Sequence, residues 1–142
     1  MTASLLPFHL AIRVNNLESC RVFYRDLLGC KEGRSSEQWV DFDFFGHQLV
    51  LHYSNTPSTE ITPKNVVDGK DVPIPHFGVV LDMNTFEGLS EALKKKNINF
   101  IIEPYIRFKG QTGEQATMFF KDPSGNSLEF KAFKNIDQLF AK

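Results

Sequence analysis

The chain contains a version of itself. Pro7-Phe8-His9-Leu10-Ala11-Ile12 parallels Ile74-Pro75-His76-Phe77-Gly78-Val79, and Gly46-His47-Gln48-Leu49-Val50-Leu51 parallels Gly125-Asn126-Ser127-Leu128-Glu129-Phe130. Two segments that repeat in the same order call for two similar modules. What lies between the repeats should therefore fold alike in each half.

The residue patterns agree. Leu6 to Val14 alternates as a strand does, with Phe8, Leu10 and Ile12 on one face and His9, Ala11 and Arg13 on the other. Leu17, Cys20, Phe23, Tyr24, Leu27 and Leu28 then recur at helical steps, with Asn15 or Asn16 as the cap and Gly29 as the stop. Strands follow over Gln38 to Phe45 and, after the Gly46 turn, His47 to Tyr53. The second half repeats the order. Pro75 to Asp82 reads as a strand and Phe86, Leu89, Ala92 and Leu93 as a helix capped by Asn84 or Thr85. Strands follow over Ile98 to Ile102, Ala116 to Phe120 and, past the Asp122-Pro123-Ser124-Gly125 turn, Asn126 to Phe133. The reading is α+β: two βαβββ modules, about 5–53 and 73–134, forming a curved mixed sheet around a cavity. Residues 54–72 are polar, hold Pro57, Pro63 and Gly69, and read as a linker within one domain spanning 1–142.

Alternation also sorts the chemistry. His9 lies opposite Phe8 and Leu10, His76 opposite Phe77 and Val79, and Glu129 opposite Leu128 and Phe130. If the apolar faces pack beneath the helices, two imidazoles and one carboxylate face one concavity. That set describes a 2-His-1-carboxylate metal site with open positions. One divalent ion is expected there; the mixed nitrogen and oxygen donors favour Fe(II) or Mn(II) and admit Zn(II) or Ni(II). Residues 102–115 mix cations, amides and glycines, including Tyr105, Arg107, Lys109 and Gln115, and read as a substrate-binding lid.

Composition excludes other classes. A net charge of −1 without a Lys/Arg cluster argues against nucleic acid and membrane surfaces as partners. Cys20 and Cys30 alone make no disulfide framework and no CxxC motif. The first residues lack a signal peptide's basic start and apolar run, so a soluble cytoplasmic protein is expected. The 14 Phe supply an apolar core or pocket.

The opening Phe8-His9-Leu10-Ala11-Ile12 resembles the vicinal oxygen chelate superfamily. So do Phe23-Tyr24 with Leu27-Leu28-Gly29, and the closing Lys121-Asp122-Pro123-Ser124-Gly125-Asn126-Ser127-Leu128-Glu129-Phe130. That superfamily holds glyoxalase I, extradiol dioxygenases, bleomycin-resistance proteins, fosfomycin-resistance enzymes and methylmalonyl-CoA epimerase. Phe44 to Val50 together with Pro104 to Gly110 further resembles a bacterial group of extradiol-type dioxygenases. The resemblance implies that His9, His76 and Glu129 are the ligands and that a fourth position falls on Val50. Glyoxalase I has a carboxylate there; extradiol enzymes have no ligand. It also implies a catalytic histidine at His47, while His52 shares the parity of Val50 and can serve instead. The tyrosine expected ten residues before the glutamate is Phe119, a departure from the extradiol pattern. The implied function is a metal-dependent enzyme acting on a small molecule with vicinal oxygens, a dioxygenase of extradiol type. The alternatives are an isomerase, lyase or transferase of the same superfamily, or a metal-free drug-sequestering protein. A homodimer is common in the resembled group.

Overall fold

Strand alternation divides each sheet of the computed structural model into an apolar face and a chemically varied one. The structure describes residues 4–56 and 63–142, and the chain forms two units, Met1–Ser58 and Thr59–Lys142. Each is built on a four-stranded mixed sheet, as the α+β reading requires.

In the first unit, β1 (His9–Val14) pairs in parallel with β4 (His47–Tyr53). The order β1-β4-β3-β2 is completed by β3 (Trp39–Phe44) and β2 (Lys31–Ser35). Between β1 and β2, α1 (Leu17–Arg21) continues as π-helical turns over Val22–Leu27. Asn16 starts α1, its Oδ1 accepting from the Ser19 N–H at 2.9 Å. Gly29, at φ 75°, ends the helical run in a conformation that glycine adopts without cost. The helix buries Cys20 and Tyr24 completely. The Tyr24 ring meets Phe42 at 5.8 Å and Phe44 at 6.3 Å, so the Val40, Phe42 and Phe44 face of β3 is the core face. Fully burying each such aromatic stabilises by about 1.5–3 kcal/mol.

In the second unit the order is β7-β10-β9-β8, from β7 (Val80–Leu81), β8 (Phe100–Arg107), β9 (Gln115–Lys121) and β10 (Ser127–Phe133). Helix α2 (Met83–Lys95) packs on β9 and β10. Beneath it lie Met118, Phe120, Leu128 and Phe130, all fully buried. Phe120 and Phe130 stack at 5.7 Å with their planes 6° apart.

Four readings of the sequence are corrected. Residues 64–73 are not linker: β5 (Lys64–Val67) and β6 (Lys70–Pro73) form a hairpin. Its Asp68-Gly69 turn, at φ 52° and 72°, is the kind of two-residue turn that matches strand twist. Residues 57–62, with Pro57, lie outside the described residues. The lid segment 102–115 begins as strand, since β8 runs to Arg107; its register shifts between Ile102 and Tyr105, where Pro104 cannot donate a ladder bond. The cap of α2 is Asp82, whose carboxylate accepts from the Thr85 N–H at 2.8 Å and hydroxyl at 2.6 Å. Finally, Pro75 to Asp82 is strand only at Val80–Leu81, with one bridge at Phe77. Alternate hydrogen bonds to β10 continue through Phe77 and Val79. Gly78 approaches so closely that a Cβ there would stand 1.6 Å from the Glu129 carbonyl oxygen.

Candidate metal centre

Register pairing places His9, Ala11 and Arg13 of β1 on one face with Gln48, Val50 and His52 of β4. There His9 Nδ1 meets Gln48 Oε1 at 2.8 Å, and Gln48 Nε2 donates to Asp41 Oδ2 at 3.4 Å. A carboxylate only accepts, so the amide nitrogen faces Asp41 and the amide oxygen faces the ring. His9 Nδ1 must then carry a hydrogen, so in the neutral ring the lone pair is on Nε2.

In the second unit, His76 arrives at the same state by another route. Its Nδ1 lies 2.7 Å from the Pro73 carbonyl oxygen, which can only accept. A hydrogen is again on Nδ1, so in the neutral ring the lone pair is on Nε2. That Nε2 stands 3.2 Å from Glu129 Oε1. A contact of this length is made either by an Nε2–H donating to the carboxylate or by a cation that both atoms bind. Adjacent ligands on one ion, each at about 2.0–2.2 Å, have about this separation. The ring is held edge-on against Phe119 at 5.0 Å.

Glu129 is nine-tenths buried, and a buried carboxylate is costly without partners. It has three. The Thr117 hydroxyl donates to Oε2 at 2.5 Å, Lys131 Nζ stands 3.7 Å from Oε1, and His76 is the third. Thr117 and Lys131 pair with each other in the β9–β10 register, and Lys131 has the parity of Glu129. This parity was the signal by which sequence reading could have found them. The donor set of the second unit, one imidazole held through its Nδ1 and one oriented carboxylate, fits a divalent ion. Among the described residues, no group of three His, Cys, Asp or Glu side chains is assembled to hold a metal.

His47 pairs with Phe44 and shares the core face of β4, opposite in parity to Gln48. Its Nδ1 accepts from the Phe8 N–H at 2.9 Å. A neutral ring engaged this way carries its hydrogen on Nε2, and its Nδ1 lone pair is shared with the Phe8 N–H. His52 instead shares the His9 face and is exposed.

The residues named from the lid separate. Arg107 Nε donates to Asp68 Oδ2 at 2.5 Å, and the Tyr105 hydroxyl donates to the same oxygen at 3.3 Å. Burial pushes the Tyr105 phenol above its ordinary range, so it remains a donor. Lys109 is exposed between Phe108 and Gly110, both at positive φ. Gln115 is buried; its Nε2 donates to the Gly113 carbonyl at 3.3 Å, while its Oε1 has no hydrogen-bond partner among the described residues. Gln115 shares the face of Thr117 by strand parity. The Asp68 carboxylate was hidden from sequence reading because it sat in the supposed linker.

This arrangement coincides with a family match. The Glyoxalase/Bleomycin resistance protein/Dioxygenase superfamily model matches residues 7–130. The chain belongs to that superfamily. A solved superfamily structure, a glyoxalase/bleomycin resistance protein/dioxygenase from Alicyclobacillus acidocaldarius, is 33% identical, with a TM-score of 0.77 over 94% of this chain and 96% of that one. Two more distant superfamily folds are similar in architecture. Lactoylglutathione lyase from Agrobacterium tumefaciens has 18% identity and a TM-score of 0.65 over 99% and 98% of the two chains. The fosfomycin resistance protein FosX from Listeria monocytogenes has 14% identity and a TM-score of 0.67 over 97% and 98%. No curated protein sequence matches the chain.

Proposed function

We propose that this superfamily member is a metal-dependent enzyme in which His9, His76 and Glu129 hold one divalent ion, with Fe(II) or Mn(II) favoured over Zn(II) or Ni(II). The observation that carries this reading is the common state of the two histidines: each has its Nδ1–H spent on a carbonyl oxygen, leaving Nε2 as a donor atom. Outer partners that fix a ligand's tautomer are the usual companions of a metal site. When bound, the ion would supply Lewis-acid stabilisation of negative charge on two adjacent substrate oxygens, and open positions for a further small ligand.

The chain's own residues do the rest. Thr117 holds the carboxylate of Glu129, Phe119 fixes the His76 ring and Gln48 orients His9. His52, on the His9 face, and His47, at the start of the same strand, are the acid–base candidates. Gln115 offers a buried acceptor to a donor group on the substrate, and Tyr105, whose hydroxyl hydrogen goes to Asp68, offers its phenolic oxygen as an acceptor. Lys109, solvent-facing, has the weakest support.

The reaction proposed first is extradiol-type dioxygenation, supported by the three-ligand set with Val50 in the fourth position. Metal-replete protein is then expected to consume oxygen with some member of a catechol panel; no uptake with any member sinks this form. Phe119 favours a second reading, because a ring without a hydroxyl cannot donate a proton or hydrogen bond beside His76. An isomerase or lyase would instead exchange the proton next to a substrate carbonyl, visible by NMR in deuterated water. A metal-free binding protein is the third outcome, reached if the protein neither contains nor takes up metal.

A further inference from the structure

A cavity of about 730 Å³ in the second unit lies beside β6 and β8, within the size range of small-molecule sites. Three lysines from three different strands line it: Lys64 of β5, Lys70 of β6 and Lys121 of β9. Among the described residues, none of the three lies within salt-bridge distance of a carboxylate. Lys70 stands 4.9 Å over the face of Tyr105. Arg107, by contrast, has given its guanidinium to Asp68.

The cavity borders the proposed reaction centre. Pro73 lines it and also accepts the His76 Nδ1–H. Ile102, another lining residue, packs with Phe119, which holds the His76 ring. Ammonium groups from three strands border one cavity, so an anion placed there is attracted to all three. Lysines bind phosphate as point charges, while the guanidinium fork takes carboxylate and phosphate alike; three point charges suit a phosphate group of about −1.5 to −2 better than a single carboxylate. Here the fork is occupied and the point charges are not. Asp71 and Glu103 also line the cavity, so three positive and two negative side chains leave it only modestly cationic. That balance suits a single phosphate-class group and disfavours a polyanion such as nucleic acid.

We propose that this cavity binds a phosphate-class group, phosphate ester or phosphonate, on a small molecule, with Lys64, Lys70 and Lys121 as its cations. The further claim that this molecule is the substrate rests on the metal-centre reading; the anion site itself does not. The test is a titration of metal-free protein with inorganic phosphate at low ionic strength, followed by amide NMR shifts. Saturable shifts are expected in residues of β6, the start of β8 and the end of β9. Each of Lys64→Gln, Lys70→Gln and Lys121→Gln should weaken binding by about two- to fivefold, the scale of an exposed ion pair, and the triple variant should lose saturation. Lys94→Gln on α2 removes the same charge elsewhere and should leave affinity unchanged. All four lysines are exposed, so folding survives. His76→Ala, expected to lose metal, should still bind phosphate, which separates this proposal from the metal reading. No saturable binding, acetate binding as tightly as phosphate, or equal weakening by Lys94→Gln would overturn it.

Discussion

The two segments that carry His9 and His76 orient the imidazole through Nδ1 by different means. In the first unit the imidazole is oriented by Gln48, an exposed side chain itself turned by Asp41. In the second it is oriented by the backbone carbonyl of Pro73 and braced by Phe119. The paired positions differ as well: Ala11 stands beside Val50 in the first unit, where the second sets Gly78 against the Glu129 backbone. The first face is thus adjustable and holds one donor. The second is rigid, tightly approached, and holds two. A repeated fold need not share its work evenly: the half that positions the carboxylate has committed its backbone to it.

The sharpest way to break the comparison is at its tightest point. Gly78→Ala places a Cβ where the Glu129 carbonyl oxygen already is, so backbone must shift; a loss above about 4 kcal/mol is expected, read as the melting transition. The matching change in the first unit, Ala11→Gly, should cost only about 0.5–1 kcal/mol. Equal losses would deny the asymmetry.

Metal affinity sharpens it further. Thr117→Val removes the hydroxyl from Glu129 and should weaken divalent-ion binding by about 10- to 100-fold, with Thr117→Ser restoring it. Gln48→Leu should cost about tenfold, the lower end of that range, because an exposed ring can find water as a substitute partner. Isothermal titration of the chelator-stripped variants gives both numbers. A larger effect at Gln48 than at Thr117 would reverse the ranking.

A further effect belongs to the first unit alone. Burial, aided by the charge of Asp43, pushes the Cys30 thiol up to about 12 from its ordinary 9.0. The unfolded chain therefore sheds this proton before the folded one does, and stability should fall as pH rises from 9.0 toward 12. Cys30→Ser should flatten that fall. At pH 8 the native thiol should resist alkylation, checked by mass spectrometry.

Much of this was legible in the residues. Alternation alone placed His9 opposite Leu10 and Glu129 opposite Phe130, because a strand's period of two leaves no choice of face. The same period, applied to His47, would have set it against Gln48 and on the core face; the family pattern pulled the other way. The hairpin at Lys64 to Pro73 was missed although Asp68-Gly69 between Val66-Val67 and Val72 is a turn signal, because its flanking lysines and prolines looked like linker. Asp68 could not be tied to Arg107 from sequence at all. Its partner lies across strands that only tertiary structure brings together. Strand β2 escaped for a simpler reason: Lys31 to Ser35 is polar and has no alternation to read.

The most direct test of the central claim is the metal content and affinity of the purified chain, measured by elemental analysis and by titration of the stripped protein. The account predicts one equivalent of divalent metal per chain, lost or weakened at least about 100-fold in each of His9→Ala, His76→Ala and Glu129→Gln, with the fold retained by circular dichroism. A chain that takes up no metal, or whose affinity survives all three substitutions, would contradict it.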